Sequence, residues 1–114
     1  MKFTTACIHG SGPNDATGAV SPALYLTSTF AHPGLGQSTG WAYTRESNPT
    51  HARLEKVLST LEAGVDALCF SSGMAAIDAV MRLFRSGDHI VTGFDLYGGS
   101  FRLFEKTYEP YGMT

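Results

Sequence analysis

Three short stretches of the sequence combine residue types that could bind a flat, anionic ligand. In CFSSGMAAIDAV (residues 69–80), Ser71, Ser72 and Gly73 separate an apolar run from a helical pattern. The first amide groups of a helix have no partner inside it and lie at the positive end of its dipole. Because glycine has no Cβ, a ligand can approach this backbone closely. The turn suits a phosphate group, and the alternative is an ordinary turn capped by Ser72 that binds nothing.

The second stretch, DLYGGS, places Tyr97 directly after the apolar run HIVTGF (residues 89–94). Ligands of open α/β sheets bind at the carboxyl ends of the strands, where Tyr97 and the turn at Gly73 would both emerge. The ring of Tyr97 could stack on a flat ligand. The alternative is an ordinary aromatic side chain that packs on the following helix. Together, the two features predict a planar phosphorylated cofactor.

The third stretch is YTRESNPT (residues 43–50). Arg45 is of the type that binds phosphate through two parallel N–H groups, and Tyr43 would share its side of an extended chain. Taken alone, an exposed Tyr and Arg are more typical of a solvated surface.

Other chemistries match the residues less well. The sequence contains no G-x-x-x-x-G-K-[ST] motif and no G-x-G-x-x-G after a strand. A serine hydrolase using Ser71 would need G-x-S-x-G, but Cys69 occupies the place of the first glycine, and no His or acidic partner is identifiable. The two cysteines and four histidines do not have metal-site or disulfide spacing, so we predict no metal.

Composition limits the class of protein. At 114 residues, with 43% hydrophobic and 16% charged residues, the chain is typical of a globular domain or a piece of one. Its net charge of −2 gives no reason to expect nucleic-acid or membrane partners. The apolar runs are too short for a membrane span, and the start MKFTTACIHG lacks a signal-peptide core. We therefore expect a small-molecule ligand and a cytoplasmic location.

The chain divides into two unlike parts. Residues 1–47 are rich in Gly, Pro, Ser and Thr and show little periodicity, which predicts an extended N-terminal arm that lies on the rest of the protein or on a second subunit. Residues 48–114 alternate helical and strand patterns and predict the start of a cofactor-binding α/β domain, truncated before completion. The expected fold class is therefore α/β.

The predicted elements of this second part follow one another closely. A first helix begins with Asn48 as N-cap and Pro49 at the first helical position, and ends at a left-handed Gly64. Strands cover residues 65–70 and 89–94, and the helix between them ends at Gly87. A last helix covers roughly residues 100–108. The apolar faces are Leu54, Val57, Leu58 and Leu61 in the first helix, Met74, Ile77, Met81 and Phe84 in the second, and Phe101, Phe104 and Tyr108 in the last. Strand, helix and strand imply a parallel βαβ unit.

These motifs together resemble one family, the pyridoxal-phosphate enzymes of cysteine and methionine metabolism. The family includes cystathionine γ-synthase, cystathionine β- and γ-lyases, methionine γ-lyase and O-acetylhomoserine sulfhydrylase. TGAVSPALYLTSTF is similar to the family's arm, and YTRESNPT to its Y-[ST]-R-x-x-N-P-T motif. SSGMAAI is similar to its cofactor turn, and DLYGGS to its segment with a stacking tyrosine. The four motifs occur in order over nearly the whole chain.

The resemblance implies a fold and a site. The fold would be the N-terminal portion of a fold-type I transferase, similar to the large domain of aspartate aminotransferase, and the cofactor would be pyridoxal 5′-phosphate. The amides of Gly73 and Met74 would bind its phosphate. Tyr97 would lie over the pyridine ring as a catalytic residue that transfers a proton near the leaving group. Tyr43 and Arg45 would reach the phosphate of a partner subunit in a homodimer or homotetramer.

The resemblance also implies what this chain lacks. The family's Schiff-base lysine lies downstream in a Ser/Thr-rich segment, and the lysines here, Lys2, Lys56 and Lys106, have no such setting. Ser47 stands where the family often has Gly. We therefore expect an N-terminal fragment of a lyase or transferase of transsulfuration, inactive alone. The complete enzyme would perform β- or γ-elimination or replacement on cystathionine, methionine or O-acylhomoserine-type substrates. The alternatives are a non-catalytic phosphate-binding or interaction fragment and the serine hydrolase.

Overall fold

A computed structural model of the chain describes residues 2–10 and 17–114. The chain divides into two compact units, Met1–Cys69 and Phe70–Thr114, called here the first and the second unit. The first unit contains helices α1 (Phe3–His9) and α2 (Pro49–Leu61). The second contains α3 (Gly73–Met81) and α4 (Gly98–Leu103), the latter continuing into a π-helical turn (Phe104–Tyr108) and a 3₁₀ turn (Glu109–Tyr111). No helix within the described ranges has the length and apolar content that crossing a bilayer requires.

Helix α1 lies in the segment that the sequence predicts as an extended arm. A helix of seven residues has too few hydrogen bonds to be stable alone in water. It packs against α2, with Ala6 buried between them. The hydroxyl group of Thr60 also donates to the carbonyl oxygen of Gly10 at 3.3 Å. Of the predicted arm, residues 1 and 11–16 lie outside the described residues.

Helix α2 begins as predicted but ends differently. Asn48 is its N-cap and accepts a hydrogen bond from the amide of Thr50, and Pro49 opens the helix. The prediction that Gly64 is the left-handed residue is wrong. Ala63 has the positive φ, 52°, and the amide of Gly64 donates to the carbonyl oxygen of Ser59 at 2.9 Å. This six-to-one bond is that of a Schellman motif, which places the left-handed residue one position before the donor.

Residues 17–48 contain one isolated antiparallel bridge, between Thr29 and Tyr43. The amide of Phe30 donates to the carbonyl oxygen of Ala42 at 3.0 Å, and the rings of Phe30 and Trp41 lie 6.3 Å apart. This pairing was not predicted, because the stretch shows no alternation of apolar and polar residues. The bridge places the segment that leads into YTRESNPT beside residues 28–30.

The second unit has a small apolar core. Its buried members are Met81, Tyr108 and Met113, and the partly buried Ile77, Ile90, Leu103 and Phe104 pack against them. The predicted face of the last helix is therefore confirmed for Phe104 and Tyr108 but not for Phe101, which is 58% exposed.

The bounds of two predicted helices change. Helix α3 ends at Met81, because the amides of Leu83 and Phe84 bond to carbonyl groups three residues earlier. Gly87, with φ 94°, lies in the turn that follows and does not end the helix. The last helical segment begins at Gly98 and changes to π-helical hydrogen bonding at Phe104.

The predicted strands, residues 65–70 and 89–94, do not form strands within the part of the chain that the structure describes. A strand requires a neighbour that pairs its amide and carbonyl groups along its length; among the described residues the first segment has none, and the second pairs only with Thr114. The amide of Cys69 bonds instead to the carboxylate of Glu55 at 2.8 Å. At the start of the second segment, the amide of Thr114 donates to Asp88 O at 3.1 Å, and Ile90 N donates to Thr114 O at 2.7 Å.

Candidate functional site

The N-terminus of α3 carries two amide groups that have no hydrogen-bond partner among the described residues. The hydroxyl oxygen of Ser72 accepts from the amide of Ala75 at 3.1 Å, and the carbonyl oxygen of Ser72 accepts from Ala76 at 3.1 Å. Ser72 is therefore the N-cap: its carbonyl oxygen accepts the first regular helical bond, and its side chain satisfies one otherwise free donor, the amide of Ala75. The amides of Gly73 and Met74 donate to no acceptor among residues 2–10 and 17–114.

The backbone at the start of α3 is exposed. Ser71, Ser72 and Gly73 are exposed, and a Cβ built on Gly73 would meet no atom within 4 Å. Two adjacent N–H donors at the positive end of a nine-residue helix, with free access, fit an oxyanion such as a phosphate. The cap and the anion site are therefore compatible, since the side chain of Ser72 uses the amide of Ala75 and leaves those of Gly73 and Met74.

Tyr97 lies close to this helix end. It is the N-cap residue of α4 and is 74% exposed, so its ring is open to a ligand. A Cβ built on Gly99 would lie 2.5 Å from Cε1 of Tyr97 and 3.2 Å from the sulfur of Met74. The hydroxyl of Ser100 donates to the same sulfur at 3.8 Å. The structure thus brings Tyr97 and Met74 together around Gly99.

Tyr43 and Arg45 contact each other in the first unit. The sequence predicted an extended chain between them, and the structure differs. The chain forms a turn in which the amides of Glu46 and Ser47 both donate to Tyr43 O, at 2.9 and 3.0 Å. The turn places the guanidinium carbon of Arg45 4.7 Å from the centre of the Tyr43 ring, a cation–π contact. Gly73, Met74 and Tyr97 belong to the second unit.

Asn48 holds the segment that carries this pair. Its side chain is 2% exposed and makes three hydrogen bonds. The amide group donates to Tyr25 O at 3.2 Å and to the hydroxyl of Thr44 at 2.9 Å, while the oxygen accepts from Thr50 N at 2.8 Å. The sequence identified the cap and missed the two other bonds. Asn and Asp both cap helices well, but only Asn can also donate from its side chain at neutral pH.

Asp78 joins α3 to the turn that follows α4. The phenol of Tyr108 donates to its carboxylate at 2.5 Å, and Arg82 donates to it at 2.8 Å. The hydrogen bond from Tyr108, and then that from Arg82, lowers the pKa of Asp78. The same bond, followed by burial, raises the pKa of Tyr108. This link was not predicted from the sequence. Its only signal there is that Asp78, an acidic residue, follows Ile77 on a helix whose apolar face is buried.

The hydrolase hypothesis gains nothing from the geometry. No hydrogen bond joins Ser71 to a histidine in the described part of the chain. Cys69, two residues earlier, has its pKa raised by burial and by the charge of Glu55, so its thiolate is disfavoured.

Comparison with known proteins identifies one family. The sequence profile described as Cys/Met metabolism PLP-dependent enzyme matches residues 4–114. The cystathionine gamma-synthase/O-acetylhomoserine (thiol)-lyase of Bacillus subtilis is 47% identical over 105 residues, which cover 92% of this chain and 28% of that protein. The cystathionine beta-lyase of Lactococcus lactis subsp. cremoris (strain MG1363) is 47% identical over 113 residues, which cover 98% of this chain and 30% of that protein.

Solved structures agree with these relatives. The cystathionine gamma-lyase of Lactobacillus plantarum superposes with a TM-score of 0.86 at 47% identity, covering 100% of this chain and 30% of that one. The cystathionine gamma synthase of Xanthomonas oryzae pv. oryzae gives 0.86 at 34% identity with the same coverage. This chain spans about 30% of the length of such proteins and has the fold of their N-terminal portion.

Proposed function

Since the chain belongs to the pyridoxal-phosphate-dependent enzymes of Cys/Met metabolism, we propose that it is the N-terminal portion of a lyase or transferase of sulfur amino acids. The complete protein would carry out β- or γ-elimination or replacement on cystathionine, methionine or O-acylhomoserine-type substrates. Relatives of nearly equal identity are named as a γ-synthase, a γ-lyase and a β-lyase. This equality supports the substrate class and favours no one reaction.

The free amides of Gly73 and Met74 carry the proposal. The cofactor of the family is pyridoxal 5′-phosphate, whose phosphate needs donors that are unpaired, accessible and positively polarised. The N-terminus of α3 offers such donors. When bound, the cofactor supplies an electron sink for the substrate's α-carbon, and the protein supplies position and charge. Gly73 and Met74 would hold the phosphate and so determine the position of the whole cofactor.

Tyr97 would set the orientation of the cofactor ring. Its exposed ring, close to Met74, supports stacking on the pyridine face. A tyrosine hydroxyl above a reacting carbon is also able to give or accept a proton near the leaving group. We assign Tyr97 both roles, orientation through its ring and proton transfer through its hydroxyl oxygen.

Tyr43 and Arg45 would bind the phosphate of a partner subunit in a homodimer or homotetramer. Arg offers a planar fork of donors that suits an oxyanion, and the ring of Tyr43 limits where that fork can lie. Residues 1–47 would form the intersubunit arm. Leu26 and Leu35, at 94% and 106% exposure, support this role, because apolar side chains in such a segment need a surface that covers them.

Residues 48–114 would begin the cofactor-binding α/β domain. In parallel strands, one residue donates to and accepts from two residues of its neighbour that are two positions apart. The bonds between Thr114 and residues 88 and 90 follow this pattern and support a parallel sheet. Val91 and Phe94, at 85% and 105% exposure, support further strands that cover them. The lysine for covalent cofactor attachment would come from elsewhere in the complete, cytoplasmic protein, because Lys2, Lys56 and Lys106 have no matching setting.

Gly73→Ala in the complete protein tests the phosphate site. The added Cβ meets nothing within 4 Å in this chain, so apoprotein stability should not fall. It would occupy the space beside the donors, and affinity for pyridoxal phosphate should fall at least about tenfold, or about 1.4 kcal/mol. Titration of the apoprotein, followed by the absorbance of bound cofactor, measures this. Wild-type affinity in a folded Gly73→Ala protein would exclude the site.

A further inference from the structure

We propose that Gly99 is a positioning residue that holds the ring of Tyr97 in its stacking orientation. The proposal rests on the proposed function of Tyr97 and deepens it. Gly99 itself touches neither cofactor nor substrate, and acts by leaving space that the ring occupies.

The distances around Gly99 are the observation. A Cβ at this position would lie 2.5 Å from Cε1 and 3.0 Å from Cδ1 of Tyr97, whereas ordinary van der Waals contact begins at 3.4 Å. One edge of the ring therefore lies directly against the Gly99 backbone. A methyl group would force this edge to move by about 1 Å, the difference between 2.5 Å and ordinary contact.

The backbone does not require glycine here. Gly99 lies in the first turn of α4 and is not among the glycines with positive φ, so alanine fits its conformation. Alanine is also the better helix former. Gly98, the preceding residue in the same turn, likewise has ordinary φ, and a Cβ there would meet nothing within 4 Å. Space for the Tyr97 ring is therefore what distinguishes the two positions.

Met74 borders the other side of the same space. Its sulfur would lie 3.2 Å from the added Cβ and accepts a hydrogen bond from Ser100, which is 4% exposed. The amide of Ser100 in turn donates to Tyr97 O at 2.8 Å. Because Met74 is held in this way, the ring of Tyr97, which is exposed, is the part that moves. Its displacement would turn the stacking face away from the cofactor plane.

The test compares Gly99→Ala with Gly98→Ala in the complete holoenzyme. A misplacement of about 1 Å in a positioned group can reduce the rate by about 10²-fold, so we expect kcat to fall about 10- to 100-fold in Gly99→Ala. Affinity for pyridoxal phosphate should change less than threefold, because Gly73 and Met74 keep their amides. The visible circular dichroism of the bound cofactor should change, since it reports the orientation of the stacked ring. Gly98→Ala should retain wild-type kcat and spectrum.

Tyr97→Ala separates this proposal from the function on which it rests. If Tyr97→Ala changes neither spectrum nor kcat, the assigned role of Tyr97 fails. If it changes both while Gly99→Ala behaves as Gly98→Ala does, only the positioning role fails. In the Tyr97→Ala background, Gly99→Ala should have no further effect on kcat. Should Gly99→Ala alone not fold, the double variant should fold, because the clashing ring is absent; a double variant that also fails to fold overturns the proposal.

Discussion

The two units of the chain are stabilised by different kinds of interaction. Among the described residues of the first unit, the buried side chains are Ala6, Asn48 and Ser59, two of them polar. In the second unit, Met81, Tyr108 and Met113 form an apolar cluster. Hydrogen bonds are directional, so Asn48 fixes where neighbouring backbone lies without needing a large core. Apolar burial is not directional, and it supplies free energy more than geometry.

This contrast matches the roles proposed for the two units. Arg45 needs a defined position on a segment with almost no core, and the hydrogen bonds of Asn48 and Thr44 provide it. The N-terminus of α3 needs a stable helix behind it, and the packing of Ile77 and Met81 provides that. We therefore expect different substitutions to destabilise the two units. Amide hydrogen exchange measures the free energy of opening of each helix separately and so tests this.

Met81→Ala should have the largest effect. Met81 is 5% exposed at the centre of the apolar cluster, and truncating a buried Met costs about 2–5 kcal/mol. In the complete protein, the free energy of opening measured by exchange of the α3 amides should fall by this amount, while that of the α2 amides changes little. Equal losses in α2 and α3 would contradict the separation of the two units.

Asn48→Ala should have the next largest effect, in the first unit. It removes the helix cap and leaves Tyr25 O and the hydroxyl of Thr44 without their donor, at a cost of about 2 kcal/mol. Opening of the α2 amides should become easier, and those of α3 should be unaffected.

The matched variant Asn48→Asp keeps the acceptor for Thr50 N but has no side-chain donor at neutral pH. We expect it to restore the cap and not the wild-type affinity for cofactor, because the segment of Arg45 remains loosened. Full recovery of both by Asn48→Asp would reduce Asn48 to a simple cap.

Tyr108→Phe removes a polar link from the apolar unit and should have a smaller effect that depends on pH. The bond to Tyr108 lowers the pKa of Asp78, so its contribution is present above the unfolded pKa near 3.8 and is lost as pH falls through the lower, folded value. It is lost again as pH rises past 10 towards the raised pKa of Tyr108. Denaturation near neutral pH and near pH 3 should show a stability difference from wild type that shrinks on acidification. A difference that is constant with pH would mean that Asp78 is not the partner.

Local signals in the sequence predicted local structure. Asn48, Pro49 and Ser72 act on backbone groups within three residues, so their roles at the starts of α2 and α3 could be predicted, and the comparisons confirm the family that the motifs indicate. The strands predicted at 65–70 and 89–94 do not form in the described part of the chain, because a strand depends on a neighbouring strand that its own residue pattern does not reveal.

Contacts between particular side chains could not be predicted from the sequence either. The position of the Tyr97 ring against Gly99, and the turn that stacks Arg45 on Tyr43, follow from backbone geometry over several residues. The motifs identified these residues, but only the structure shows which of them contact each other. Gly99 shows this difference clearly, since a glycine in sequence signals backbone freedom more often than space for a neighbouring ring.

Ala63→Gly should have the smallest effect, and its sign is opposite. Ala63 has φ 52°, a left-handed conformation that glycine adopts without strain, so the end of α2 should gain about 0.5–1 kcal/mol. The amide of Gly64, which bonds to Ser59 O, should exchange more slowly. The control Gly64→Ala places a Cβ 3.3 Å from Asp66 O and should not stabilise the helix. Because Ala63 belongs to the first unit, the gain should be confined to α2, and a loss of stability in Ala63→Gly would show that the helix ends through a different residue.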